Sequence, residues 1–105
     1  MSTQVSIHHN DYSSEIRTIA EEKLGNLFRF CSDKVSLKAH LERQAGGHRV
    51  EIVASVPHGP VLVSDVHAEG VMHALDEALS RMTRQLKRSR DKRTVERRRP
   101  SRTGE

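Results

Sequence analysis

Four basic residues toward the C-terminal end, Arg81, Arg84, Arg88 and Lys92, are spaced three, four and four apart. On a helix, positions three and four apart are neighbours on one face, so this spacing draws a stripe. Lys87 and Arg90 broaden it. Arginine predominates, and its planar guanidinium matches the oxygens of a phosphate two at a time. Acidic side chains one turn away are scarce; Asp91, four residues after Lys87, is the pairing the spacing suggests. The stripe therefore reads as a phosphate-binding surface, and the chemistry it offers is recognition of an anionic polymer.

The other reactive side chains do not assemble into a site. Seven histidines are present (His8, His9, His40, His48, His58, His67 and His73), but none are spaced as His-x-x-x-His on a helix, and Cys31 is the single cysteine. Neither a metal nor any other cofactor is expected from these spacings. Cys31 lacks the surroundings of a nucleophile and reads as a small, half-buried thiol. The adjacent carboxylates Glu21-Glu22 and Asp76-Glu77 read as solvated helix charge, so no enzyme is expected. The aromatic residues are Tyr12, Phe28 and Phe30. None falls on a strand, which argues against base stacking on a sheet surface and for binding through phosphate and shape.

Charge along the chain supports the same reading. The 105 residues carry a net +4, but from Arg81 onward eleven basic residues face three acidic ones, and the first eighty residues sum to −4. A mildly acidic body with a strongly basic end suits nucleic acid. No apolar run approaches the roughly 20 residues of a membrane span, and Met1 does not open a signal peptide. With one cysteine and no disulfide framework, a cytoplasmic protein is expected.

The elements that must position the stripe follow from hydrophobic periodicity. Val5 and Ile7 alternate with polar neighbours in a short strand. Ser13 is placed to cap a helix whose apolar positions are Ile16, Ile19, Ala20, Leu24, Leu27 and Phe28. Gly25 within it suggests a close approach to another backbone. Val35, Leu37, Ala39 and Leu41 mark a second strand, Gln44-Ala45-Gly46-Gly47 a hairpin turn, and Val50, Ile52, Ala54 and Val56 a third strand. Pro57-His58-Gly59-Pro60 breaks the chain before a fourth strand with Leu62, Ser64 and Val66 inward. A last helix from about Gly70 carries the apolar stripe Val71, Leu75, Ala78, Leu79, Met82 and Leu86, with the basic stripe roughly opposite.

The fold class expected is α+β, in the order β-α-β-β-β-α: a four-stranded mixed sheet with two helices packed on one face. The first two strands should be parallel and the others antiparallel hairpins. Residues 1–93 should form the domain and 94–105 a disordered basic tail.

The run His67-Ala68-Glu69-Gly70-Val71-Met72-His73-Ala74-Leu75-Asp76, followed by Arg81-Met82-Thr83-Arg84-Gln85-Leu86-Lys87-Arg88, resembles the ribosome hibernation promoting factor family, which includes protein Y and carries the older label sigma modulation protein. The opening Val5-Ser6-Ile7 strand, the Ser13 cap and Lys23-Leu24 fit the same frame, from about Gln4 to Lys92. Gly70-Val71-Met72 departs from the family's tyrosine-bearing approach to the last helix, and Asn26 stands at a frequent family lysine. With no second domain following, the chain looks like a short form. The resemblance implies binding to ribosomal RNA of the small subunit, in the channel used by messenger RNA and tRNA. It further implies reversible inhibition of translation in stress or stationary phase, with no catalysis, no membrane or DNA partner, and a monomer off the ribosome. By the same resemblance, Lys23 and Arg29 of the first helix would join Arg81, Arg84, Lys87, Arg88, Arg90 and Lys92 in contacting phosphate. Two other readings are a free double-stranded RNA binder, which shares an α-β-β-β-α core, and a protein-interaction module whose basic tail serves solubility.

Overall fold

The computed structural model describes residues 2–7, 12–31, 35–56 and 59–98, with the backbone alone for residues 2 and 90–98. The chain runs β1 (Ser2–Ile7), α1 (Ser14–Gly25), a 3-10 turn (Asn26–Phe30), β2 (Ser36–Gln44), β3 (Gly47–Ser55), β4 (Val61–Ala68) and α2 (Val71–Arg98). The four strands form one sheet in the order β1-β2-β3-β4. β1 pairs with β2 in parallel, while β2–β3 and β3–β4 are antiparallel. This is the β-α-β-β-β-α architecture expected from the periodicity.

Register puts the inward apolar residues of all four strands in phase. Val5 pairs with Ala39, Leu41 with Val50, Val50 with Val66 and Ala54 with Leu62. That phase faces the helices, and Val35, Leu37, Leu41, Val50 and Ile52 are buried there against Ala20 and Leu24 of α1 and Leu75, Ala78 and Met82 of α2. Losing one such leucine to alanine costs about 2–5 kcal/mol. Ser64 also points inward, as its phase required, and its hydroxyl donates to the Ala78 carbonyl at 2.9 Å. A polar group in the core is thereby satisfied, and the bond ties β4 to α2.

Local chemistry sets the element ends. Ser13 is extended (φ −73°, ψ 165°) and its hydroxyl accepts from the Ile16 amide. Glu15 in the first turn and Lys23 in the last match the helix dipole. α1 tightens into the 3-10 turn at Asn26 and stops at the extended Cys31. The close approach expected at Gly25 is absent: a Cβ there would have no atom within 4 Å. Gly25 instead marks the junction where α-helix gives way to the tighter turn, a place where a poor helix former is tolerated.

The β2–β3 hairpin closes through Ala45 and Gly46, since Gln44 pairs with Gly47. Gly46 has φ +81°, a conformation with low cost only for glycine. Gly47 is needed for a different reason, because a Cβ on it would lie 2.4 Å from the Ala68 carbonyl oxygen at the end of β4. The 2.7 Å hydrogen bond between the Tyr12 hydroxyl and His48 Nδ1 fastens the approach to α1 onto the start of β3. Arg17 adds a second tie, donating to the Val5 carbonyl at 2.8 Å.

Two features of α2 differ from expectation. Ala74 joins the buried face of α2. The backbone of α2 continues helically to Arg98, past residue 93, where the domain was expected to end. Residues 99–105 of the expected tail lie outside the described residues, as do His8, His9, Pro57 and His58.

Candidate nucleic-acid interface

The described basic side chains of α2 are divided between the two flanks of the helix. Arg81, Arg84 and Arg88 border one shallow depression together with Glu77 and Gln85. This flank turns toward the β4 edge of the sheet rather than squarely away from the core, because Ala74 and Ala78 share the buried face with Leu75 and Met82. Gln85 anchors it: its Nε2 donates to the Val63 carbonyl at 2.7 Å, covering part of the outer edge of β4.

Lys87 lies on the opposite flank, toward α1. Its Nζ stands 5.0 Å from the centre of the Phe30 ring, and the Arg29 guanidinium carbon stands 5.7 Å from the same ring. The negative face of the half-buried ring attracts both cations and holds them near one another. Sequence spacing offered no signal for this contact, since Phe30 and Lys87 belong to different elements. Phe30 therefore joins the site without having been expected there.

Carboxylates read as solvated charge turn out to have partners. Asp76 meets Lys23 at 3.2 Å across the α1–α2 boundary. Glu77 meets Arg81 at 2.6 Å, one turn apart on α2. The scarcity of acidic partners on the stripe thus held only looking forward from each basic residue; Glu77 lies four residues before Arg81, the favoured order for such a pair. Arg84 and Arg88 are exposed, and no described carboxylate forms an ion pair with either. The side chains of Arg90 and Lys92 lie outside the described residues, although the helix that carries them is continuous.

The opposite surface of the sheet is built differently. There Arg49 donates to both oxygens of Asp65, at 3.0 Å from Nε and 2.7 Å from Nη2. It also lies 3.5 Å from Glu42 and 3.6 Å from Glu51. Glu51 and Asp65 face each other directly across β3 and β4. Like charges so placed repel, and Arg49 offsets that repulsion. The hydrogen bond from Arg49 holds the Asp65 carboxyl below its ordinary range, against a smaller opposing effect of burial. The same bond raises Arg49. Val61 and Val63 are exposed farther along this surface, at 61% and 45%.

Among the described residues no three His, Cys, Asp or Glu side chains cluster as metal ligands. Cys31 donates to the Leu27 carbonyl at 3.3 Å, and partial burial pushes its thiol pKa upward, away from the reactive thiolate. No helix among the described residues is long and apolar enough to cross a membrane.

A family model described as sigma 54 modulation protein / S30EA ribosomal protein matches residues 3–94. Among solved structures, the N-terminal domain of Protein Y from Thermus thermophilus is similar with a TM-score of 0.71 and 27% identity, over 84% of this chain and 98% of that one. A ribosomal subunit interface protein from Coxiella burnetii gives a TM-score of 0.71 over 87% of this chain and 99% of that one; at 15% identity the likeness is one of fold. No curated protein sequence matches the chain.

Proposed function

Because the chain belongs to the sigma 54 modulation protein / S30EA ribosomal protein family, we propose that it binds the small ribosomal subunit and reversibly inhibits translation. The observation that carries this reading is the α2 flank on which Arg84 and Arg88 stand exposed with no described counter-ion. Cations with no counter-ion among the described residues are available to phosphate, and ribosomal RNA is the polymer a protein of this family meets. The names of the similar proteins, Protein Y and a ribosomal subunit interface protein, agree with that partner.

In this reading the α2 surface docks in the channel between the head and body of the subunit, where it occupies space needed by messenger RNA and tRNA. Arg81, Arg84, Lys87, Arg88, Arg90 and Lys92 of α2 contact phosphate, with Lys23 and Arg29 contributing beside them. Binding without bond-making leaves the ribosome intact, so the block is released when the protein leaves. The setting is the cytoplasm under stress or in stationary phase, and the free protein is a monomer.

Co-sedimentation with purified ribosomes across a salt series tests this directly. Each phosphate contact contributes about −0.7 to −0.9 to the slope of log affinity against log salt, so binding should weaken steeply. A nearly flat dependence, or no pelleting at low salt, overturns the reading. Gel shifts on naked duplex RNA separate it from a free double-stranded RNA binder, which would bind the duplex as tightly as the ribosome.

A further inference from the structure

Two shallow features meet on the β4 flank of α2. One is the depression bordered by Arg81, Arg84 and Arg88. The other is a largely apolar recess bordered by Pro60, Leu62, Gln85, Arg88 and Ser89. Arg88 and Gln85 border both, so an apolar wall and a row of guanidinium groups form one continuous site. We propose that this site takes a single unpaired nucleotide of an RNA strand, its base in the recess and its phosphates on Arg84 and Arg88. The proposal rests on the reading of the basic surface as an RNA-binding face and adds to it a contact with a base.

The chemistry of a nucleotide matches the division of the site. A base has two flat apolar faces, which the Pro60 ring and the Leu62 side chain can cover. A guanidinium plane stacks on a base as well as it pairs with a phosphate, and Arg88 is placed between the two tasks. Arg84 lies one turn back along α2, where the next phosphate would pass. Gln85 is held by its bond to the Val63 carbonyl, which uses its Nε2 and leaves its Oε1 as an acceptor for an N–H on the base edge. Among the described residues that border the combined site the one carboxylate is Glu77, bound to Arg81 at the far end from the recess. A ligand of phosphate alone would leave the recess empty, and an acidic peptide without an aromatic side chain would offer no broad apolar face to Arg88.

The test compares two fluorescein-labelled single strands with the full 105-residue protein by anisotropy: a mixed-sequence RNA hexamer and an abasic hexamer with the same backbone. The intact RNA should bind at least about fivefold more tightly, the low end of base-stacking effects in single-strand binders. Ser89→Tyr, which fills the recess, and Pro60→Glu, which places a negative charge at its exposed mouth, should each erase that preference while thermal melts stay near wild type. Two variants are used because the larger side chain at Ser89 disturbs α2 if the recess is too shallow for it. Equal affinity for the two strands overturns the proposal, as does a preference that survives Pro60→Glu, or an acidic peptide that competes as well as RNA. If neither strand binds, the nucleotide site is lost; wild-type co-sedimentation with ribosomes then shows separately whether the RNA reading stands.

Discussion

Arginine does opposite work on the two surfaces of this molecule. On the open sheet face, Arg49 is surrounded by Glu42, Glu51 and Asp65, and its charge is consumed within the fold. On the β4 flank of α2, Arg84 and Arg88 have no described ion-pair partner, and Arg81 has one. A count of charges cannot separate these cases, because each residue adds the same +1. What separates them is register. Cross-strand pairing forces Glu51 against Asp65 and makes Arg49 necessary there, whereas helical spacing sets Arg84 and Arg88 beside one another with no ion-pair partner among the described residues. An inward-compensated arginine stabilises the fold, and an uncompensated one is available to a partner.

The strongest way to break this contrast is to reverse the two arginines that have no described partner. Arg84→Glu with Arg88→Glu removes two phosphate contacts and substitutes repulsion. Ribosome affinity should fall by roughly 100-fold or more at moderate salt, and the salt slope should flatten by about 2. Circular dichroism should be unchanged, since both side chains are exposed. Retained pelleting would place the interface elsewhere.

The mirror experiment is Arg49→Met. It leaves Glu42, Glu51 and Asp65 facing one another without their common cation. The loss should appear as stability, about 1–2 kcal/mol in a urea melt, since one bidentate pair goes and a like-charge pair is exposed. Ribosome affinity should stay within about twofold of wild type, and a larger drop would mean that the sheet face also touches the ribosome.

pH sharpens the same point. The Asp65 carboxyl sits below its ordinary value of 3.8 because Arg49 donates to it. A depressed folded pKa means that the contribution is fully present above the unfolded value and is lost as pH falls through the folded one. Wild type should therefore exceed Asp65→Asn by up to about 1 kcal/mol at pH 7, the usual limit for a surface pair. The difference should begin to shrink near pH 4 and vanish in stronger acid. A difference that persists there would assign the effect to packing instead.

Most of the fold was legible because one signal, hydrophobic period, was repeated in every element. Val35, Leu37, Ala39 and Leu41 could face only one way, and even Ser64, a polar residue in an inward phase, was placed by its neighbours. Gly25 misled because a glycine in a helix has two explanations, close packing or a change of helix type, and the sequence does not distinguish them. At the candidate interface the stripe was visible, but its compensation was not. Asp76 and Lys23 lie on different helices, as do Lys87 and the segment bearing Phe30, so their meeting depends on how the helices lie across the sheet. Pro60 and Leu62 come beside Arg88 for the same reason: the β4 edge passes under the second half of α2. Local pattern supplies the elements, and pairings between them need the assembled fold.

The pair between Glu77 and Arg81 gives the smallest effect and the finest test. Here a cation of the basic flank is held by its own chain at 2.6 Å, which makes it an intermediate case between Arg49 and Arg84. Both side chains are exposed, so the bond contributes little to stability, a few tenths of a kcal/mol at most for an i,i+4 pair. Its cost to binding is larger in proportion, because a phosphate approaching Arg81 must displace Glu77 or accept its charge nearby. Glu77→Gln keeps the shape and removes the charge. Ribosome affinity should then rise by about two- to threefold at low salt and converge with wild type as screening shortens the reach of the carboxylate below the distance to the phosphate. A fall in affinity would mean that Glu77 positions Arg81 for its partner, and the internal pair would then belong with the binding surface.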